Sequence, residues 1–245
     1  MKNILCLLII YGFTVTNTQA GMYYQSFLKE TDSFLKQWVN DGKVDYQGIQ
    51  NHFEPMETLY QAIGQIEVNK MTVEEKKAFY INAYNLIVLY QVSKYYPMSS
   101  PLDHEGFFDQ VKHQVAGESM TLNHLEIMKI MIPYRDPRIH FALSNAAVSC
   151  PQMANFAYLP HKLDHQLDQS TRLSLNHENF IEIDHESQKI LISRIFAWYK
   201  NDFTFHGQSV KAFINRYRNA KLPDNYALDY HEYYWILNAK EVIGR

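Results

Sequence analysis

Thr72-Val73-Glu74-Glu75-Lys76-Lys77-Ala78-Phe79-Tyr80-Ile81-Asn82-Ala83-Tyr84-Asn85-Leu86-Ile87-Val88-Leu89-Tyr90 is the stretch that decides the fold. Thr72 followed three residues later by Glu75 has the form of a capping box, so a helix starts here. It runs to about Tyr96, where Pro97 stops it by disfavouring helical backbone at the preceding residue. After Ala78 apolar residues stand on nearly every side, the mark of a helix buried at the centre of a domain. Asn82, Tyr84 and Asn85 interrupt that apolar surface. They read either as side chains that bond backbone groups of neighbouring loops or as the lining of a pocket.

Outward from this helix the chain reads as mostly helical. Tyr24, Phe27, Leu28, Phe34, Leu35 and Trp38 make a helical stripe over Tyr23 to Val39, stopped by Asn40-Asp41-Gly42. A second helix is expected from Ile49 to Ile66. Downstream, Lys112 to Thr121 reads as a hairpin about Gly117-Glu118, and Asn123 caps a short helix to about Met131. Arg138 to Leu143 is short and apolar, as a buried strand would be. Leu163 to Leu175 is helical, and Phe180 to Ile183 pairs with Lys189 to Ile192 as a second hairpin. Helices near Ile195 to Tyr199 and Val210 to Tyr217 precede a last strand at Tyr226 to Tyr230. The expected fold is a helix-rich α+β single domain, residues 21–245, with a small antiparallel sheet.

Composition agrees with a folded protein and narrows its partners. The 245 residues are 47% hydrophobic, with 18 Tyr and 14 Phe to fill a core. Acids outnumber bases 26 to 23, which argues against nucleic acid, whose phosphates are met by a surplus of Lys and Arg. Lys2, the apolar run from Ile4 to Val15 and the small residues of Thr18-Gln19-Ala20 read as a secretory signal, residues 1–20, cleaved after Ala20. That run is shorter than the ~20 apolar residues of a membrane span, so no permanent anchor is expected. The protein is expected to be exported, periplasmic or secreted.

Cleavage removes Cys6 and leaves Cys150 as the sole thiol of the mature chain, with no internal disulfide. Such a cysteine is either a small buried hydrophobe or a nucleophile. Pro151 favours the first turn of a helix, and a helix starting there would place Cys150 at its positive end, lowering the thiol pKa. His140, ten residues upstream, offers an imidazole to take the proton, unless it is a satisfied core histidine. Glu126 can orient that imidazole or act on the thiol, unless it only completes a capping box with Asn123. Asn145, Gln152, Asn82 and Asn85 are side-chain amides available for an oxyanion or for substrate. His161 and His165, beside Asp164 and Asp168, read as a solvated helix face, so no metal is expected. No Gly-rich phosphate loop is present and no cofactor is expected.

Phe79-Tyr80-Ile81-Asn82-Ala83-Tyr84-Asn85, Leu125-Glu126, Asp136-Pro137-Arg138-Ile139-His140-Phe141-Ala142-Leu143 and Cys150-Pro151 resemble the bacterial and plant family called domain of unknown function 547. Leu163-Asp164-His165-Gln166-Leu167, the run Ser193 to Phe203, and Tyr233-Tyr234-Trp235-Ile236-Leu237-Asn238 extend the resemblance from about residue 35 to 240. It implies a comparison with papain-like cysteine peptidases, with Cys150, His140 and Glu126 in the catalytic positions. The base then precedes the nucleophile, so a papain-like fold would need a rearranged topology. The functional expectation is a thiol hydrolase acting on a peptide or amide substrate. The alternative is a non-catalytic peptide- or glycan-binding module with an aromatic groove.

Overall fold

In the computed structural model of the chain, residues 21–205 and 207–240 are described. The expected signal segment, residues 1–20, lies outside them. The architecture is helix-rich α+β. Residues 21–38 form helix α1, and a two-residue turn follows, joining β1 (Val39–Asn40) to antiparallel β2 (Lys43–Val44). Asp41 and Gly42 both have positive φ, +47° and +74°, which is what an Asp-Gly hairpin turn requires. The sequence pattern had read this dipeptide only as a helix stop. The expected second helix is two helices, α2 (Tyr46–Asn51) and α3 (Glu54–Gln65), broken at His52 and Phe53.

Helix α4 (Val73–Tyr95) is the central helix that its sequence predicts. Its Thr72–Glu75 capping box is present, and every residue from Ala78 to Ser93 is buried. Helices α1, α2 and α3 supply Phe27, Leu35, Ile49, Met56 and Ile63 to the core around it. The hairpin β3 (His113–Val115) and β4 (Glu118–Met120) follows as expected. The next helix is capped by Thr121 and not by Asn123: the Thr121 hydroxyl accepts from the backbone N–H of His124. It has three parts: α5 (Leu122–His124), a π-helical stretch Leu125–Met131, and α6 (Ile132–Tyr134). It therefore passes Pro133, which sits at the start of the last part, and ends at Arg135 with φ +46°.

Helix α7 (Leu163–Leu175) leads into β5 (Ile181–Asp184) and β6 (Lys189–Ile192), an antiparallel pair. Short helices α8 (Ile195–Trp198), α9 (Lys200–Thr204) and α10 (Val210–Tyr217) precede β7 (Ala227–Tyr230). β7 adds to β6 in parallel, so the largest sheet is mixed and not the antiparallel one expected. The helices between β6 and β7 make the crossover that a parallel pair needs. Around them lies a second core, built on Phe141, Phe180, Phe196, Phe203 and Phe213.

The segment after β7 returns to the first half of the molecule. Leu237 N–H donates to the Ser99 carbonyl, Val44 N–H to the Asn238 carbonyl at 3.0 Å, and Asn238 N–H to the Ala146 carbonyl at 2.9 Å. Asn238 also joins Tyr46 and Gly42 through its side chain. The chain's last described residues thus clamp the loop that carries Cys150.

Candidate functional site

Asp136-Pro137 begins a 3-10 turn, Pro137–Phe141, in place of the expected strand. The Asp136 carboxylate accepts from the backbone N–H of Arg138 at 3.1 Å, and Pro137 stands where an N–H has no partner to lose. This Asp-Pro start was in the sequence and outweighs the short apolar run after it. The turn sends Ile139 into the core around α4 and Phe141 into the second core. His140 falls between them, on the seam. Its Nε2 lies 2.8 Å from Asp202 Oδ2, and its ring stands 4.2 Å from that of Tyr199. The carboxylate that orients this imidazole is therefore Asp202 of α9 and not Glu126.

Cys150 is buried, and no helix starts at Pro151; residues 150–156 are irregular. The lowered thiol pKa expected from a helix N-terminus has no structural basis. Burial pushes the thiol above its ordinary value, and nearby donors only partly offset this. Those donors are the Ser144 hydroxyl, 3.2 Å from Sγ, and the backbone N–H groups of Asn145, Ala146 and Ala147. Ala146 has φ +63°, which turns successive N–H groups to one side, as in an anion-holding nest. The Sγ also lies 3.3 Å from the Pro151 carbonyl, an acceptor for the thiol proton.

Glu126 sits in the π-helical stretch, a local widening often met at functional sites. Its Oε1 accepts from the Tyr199 hydroxyl at 2.9 Å. Burial, and then the Glu126 charge, push both Tyr84 and Tyr199 above the usual phenol range, so both remain donors. The capping box with Asn123 does not form, because Thr121 holds that place.

A cavity of about 260 Å³ brings these residues together. Glu126, His140, Asn145 and Cys150 all line it, with Tyr84 and Tyr199 beside them. The Asn145 amide donates to the Tyr233 hydroxyl at 2.7 Å and keeps a second N–H. Gln152 instead lines a smaller cavity of about 170 Å³ on the other side of Cys150, against Gly42. A Cβ on Gly42 would lie 2.7 Å from that of Gln152, so only glycine lets the two loops meet. Asn82 and Asn85 line neither cavity. Asn82 bonds the carbonyl and the N–H of Tyr158, and Asn85 bonds the Ala142 carbonyl and the Ser144 N–H. Their amides are used at both ends to tether loops to α4, and neither reaches a cavity where an oxyanion would form.

Tyr84 takes the second of its two expected readings and lines the pocket, while four aromatic lining residues carried no assigned role in the sequence: Trp198, Tyr199, Tyr233 and Trp235. With Asp202 they lie in the Asn-Ala-Tyr-Asn, Ser193–Phe203 and Tyr233–Asn238 motifs, so the motifs themselves were the available signal. His161 and His165 take no part, and Asp164 and Asp168 pair with Arg138. Among the described residues no group of three or more His, Cys, Asp or Glu side chains is placed to hold a metal, and no helix is long and apolar enough to cross a membrane.

Fold and site together define a helix-rich α+β protein with a buried cysteine on the wall of an aromatic, acid-bearing cavity. Residues 68–173 match the model of the family described as protein of unknown function, DUF547. That match contains Tyr84, Glu126, His140 and Cys150 and stops before Trp198, Tyr199, Asp202, Tyr233 and Trp235. No curated protein and no solved structure matches the chain.

Proposed function

We propose that this protein is an exported thiol hydrolase of the peptidase or amidase type, with Cys150 as nucleophile. The observation that supports this is the shared cavity: a sulfur faced by three backbone N–H groups, with His140 and Glu126 on the same walls. Sulfur attacks the substrate carbonyl carbon, and His140, held by Asp202, takes the thiol proton. The intermediate collapses, the carbon–nitrogen bond breaks, and His140 returns the proton to the leaving amine. Water then adds to the thioester with His140 as base, releasing the acid and restoring the thiol. The Ala146 N–H donates to Ser144 Oγ and the Ala147 N–H to Asn145 Oδ1, so the oxyanion donors are the Asn145 backbone N–H and the second N–H of its amide. Because burial raises the thiol pKa, the proton leaves during attack and not before it. A papain-like relationship would fit this chemistry and rests on the motif resemblance alone.

The test is acylation by p-nitrophenyl acetate followed by intact-mass analysis. One acetyl group on Cys150 of the native protein is expected, none in Cys150→Ser, and acylation slowed on the order of a hundredfold in His140→Ala. Serine should be tolerated at position 150, because the Ser144 hydroxyl and the Pro151 carbonyl remain to pair with it. Acetylation that appears only after unfolding overturns the hydrolase reading. The burial of the thiol favours the second reading, a binding module with an aromatic groove, and that result would leave it standing. Export is checked separately: sequencing of the exported protein should begin at Gly21, and a start at Met1 overturns it.

A further inference from the structure

The cavity beside Cys150 has a chemical character that the thiol does not explain. Its described lining includes five aromatic rings and the Glu126 carboxylate but no lysine or arginine. Its basic group, His140, has Nε2 turned to Asp202. Glu126 enters none of the ion pairs among the described residues. A half-buried carboxylate without a counter-charge is costly, and the Tyr199 and Tyr84 hydroxyls fix it at the wall without neutralising it. A carboxylate has about four acceptor positions, so lone pairs remain for a ligand.

The rings are arranged to meet a cation. Trp198 and Tyr233 stand 4.8 Å apart at 57°, and Tyr233 and Trp235 stand 5.0 Å apart at 57°. The two indoles are nearly parallel to each other, 6.5 Å apart at 27°, and Tyr233 is inclined to both. An aromatic face is the negative end of a quadrupole and attracts an ammonium placed over it. The volume of about 260 Å³ suits a small head group and falls below the usual range for drug-sized ligands.

We infer that this cavity binds an organic ammonium group, its alkyl substituents against Trp198, Tyr233 and Trp235 and its charge facing Glu126. The inference uses the cavity of the proposed hydrolase but not its thiol. As a hydrolase the protein would select acyl compounds that carry an alkylated amine; as a binding module it would hold the amine itself.

Choline and its uncharged carbon isostere, dimethylbutanol, are titrated into the whole mature protein at constant ionic strength. Binding is read by calorimetry and by tryptophan fluorescence. Choline should bind about tenfold more tightly than the isostere. Glu126→Gln keeps a hydrogen-bonding side chain but removes the charge; it should weaken choline about tenfold and leave the isostere unchanged. Trp198→Ala, at a half-exposed site, should weaken both, and Cys150→Ser should weaken neither. Equal affinity for the two compounds, no binding of either, or choline binding untouched by Glu126→Gln overturns the inference. Choline binding without acylation of Cys150 would leave the cation site and remove the hydrolase; acylation without choline binding would do the reverse.

Discussion

The core around α4 and the core around Phe141 are built on different principles. The first rests on one helix of 23 residues, buried on all sides from Ala78 to Ser93, with three other helices laid against it. The second has no such axis. Its helices α8, α9 and α10 contain 4, 5 and 8 residues, too short to be stable alone, and its centre is a set of phenylalanine rings. Phe141 lies within about 6 Å of Phe180, Phe196, Phe203 and Phe213. The first core is thus specified by local pattern and the second by long-range ring contacts. The cavity sits where they meet, with Tyr84, Glu126 and Leu143 from one side and Ile195, Trp198 and Tyr199 from the other.

The largest effect should come from Phe141→Ala. It removes the ring at the centre of the second core and should cost about 3–5 kcal/mol in urea unfolding. If the two cores are separable, amides of α8–α10 will lose hydrogen-exchange protection while those of α4 keep it. The contacts across the seam predict instead a single cooperative loss in both, accompanied by one calorimetric transition. Protection that survives in α4 alone would make the second core an independent unit.

A smaller effect is expected at the ionic tie across the seam. Lys77 of α4 lies 2.6 Å from Asp136, whose carboxylate also pairs with Arg138; Arg138 reaches Asp164 and Asp168 at α7. Burial alone would raise the Asp136 pKa, but the bonds and charges of Arg138 and Lys77 outweigh it and bring it to about 2. A lowered folded-state pKa contributes stability that is present above the unfolded value near 4 and lost as pH falls through about 2. The contribution is about 2 kcal/mol. Acid titration of stability should show this slope, and Asp136→Asn should flatten it. An unchanged slope in the variant would show that the tie contributes nothing.

The smallest effect concerns the loop that both cores support. Ala146 holds φ +63°, a region that glycine occupies at little cost. Ala146→Gly should therefore change stability by no more than about 1 kcal/mol, in the stabilising direction if relief of strain exceeds the added chain entropy. Thermal unfolding measures it. A loss of several kcal/mol would mean that the methyl group, fully buried in the first core, matters more than the backbone conformation.

The contrast between the cores also explains what could be read in advance. Helix α4 was legible because Thr72, Glu75 and Pro97 mark its ends within one turn of themselves. The hairpins at Gly117 and at residues 185–187 were legible for the same reason. The 3-10 turn at Pro137 was misread because a short apolar run outweighed its Asp-Pro start. The supposed helix at Pro151 was misread because proline permits a helix start without causing one. Of the candidate site residues, Cys150, His140, Glu126 and Asn145 share one cavity, while Gln152 faces the other and Asn82 and Asn85 serve as tethers.

By itself the sequence determined the elements whose signals are local: capped helices, period-two strands and turns with their required residues. It also showed that Cys150 is the one cysteine outside residues 1–20. The tertiary structure alone decided that Asp202 holds His140 across 62 residues, Tyr199 holds Glu126 across 73, and Tyr233 meets Asn145 across 88. It also decided that the thiol is buried and its pKa raised. Hydrogen-bond partners and burial depend on which surfaces pack together, and spacing along the chain does not encode that over such separations.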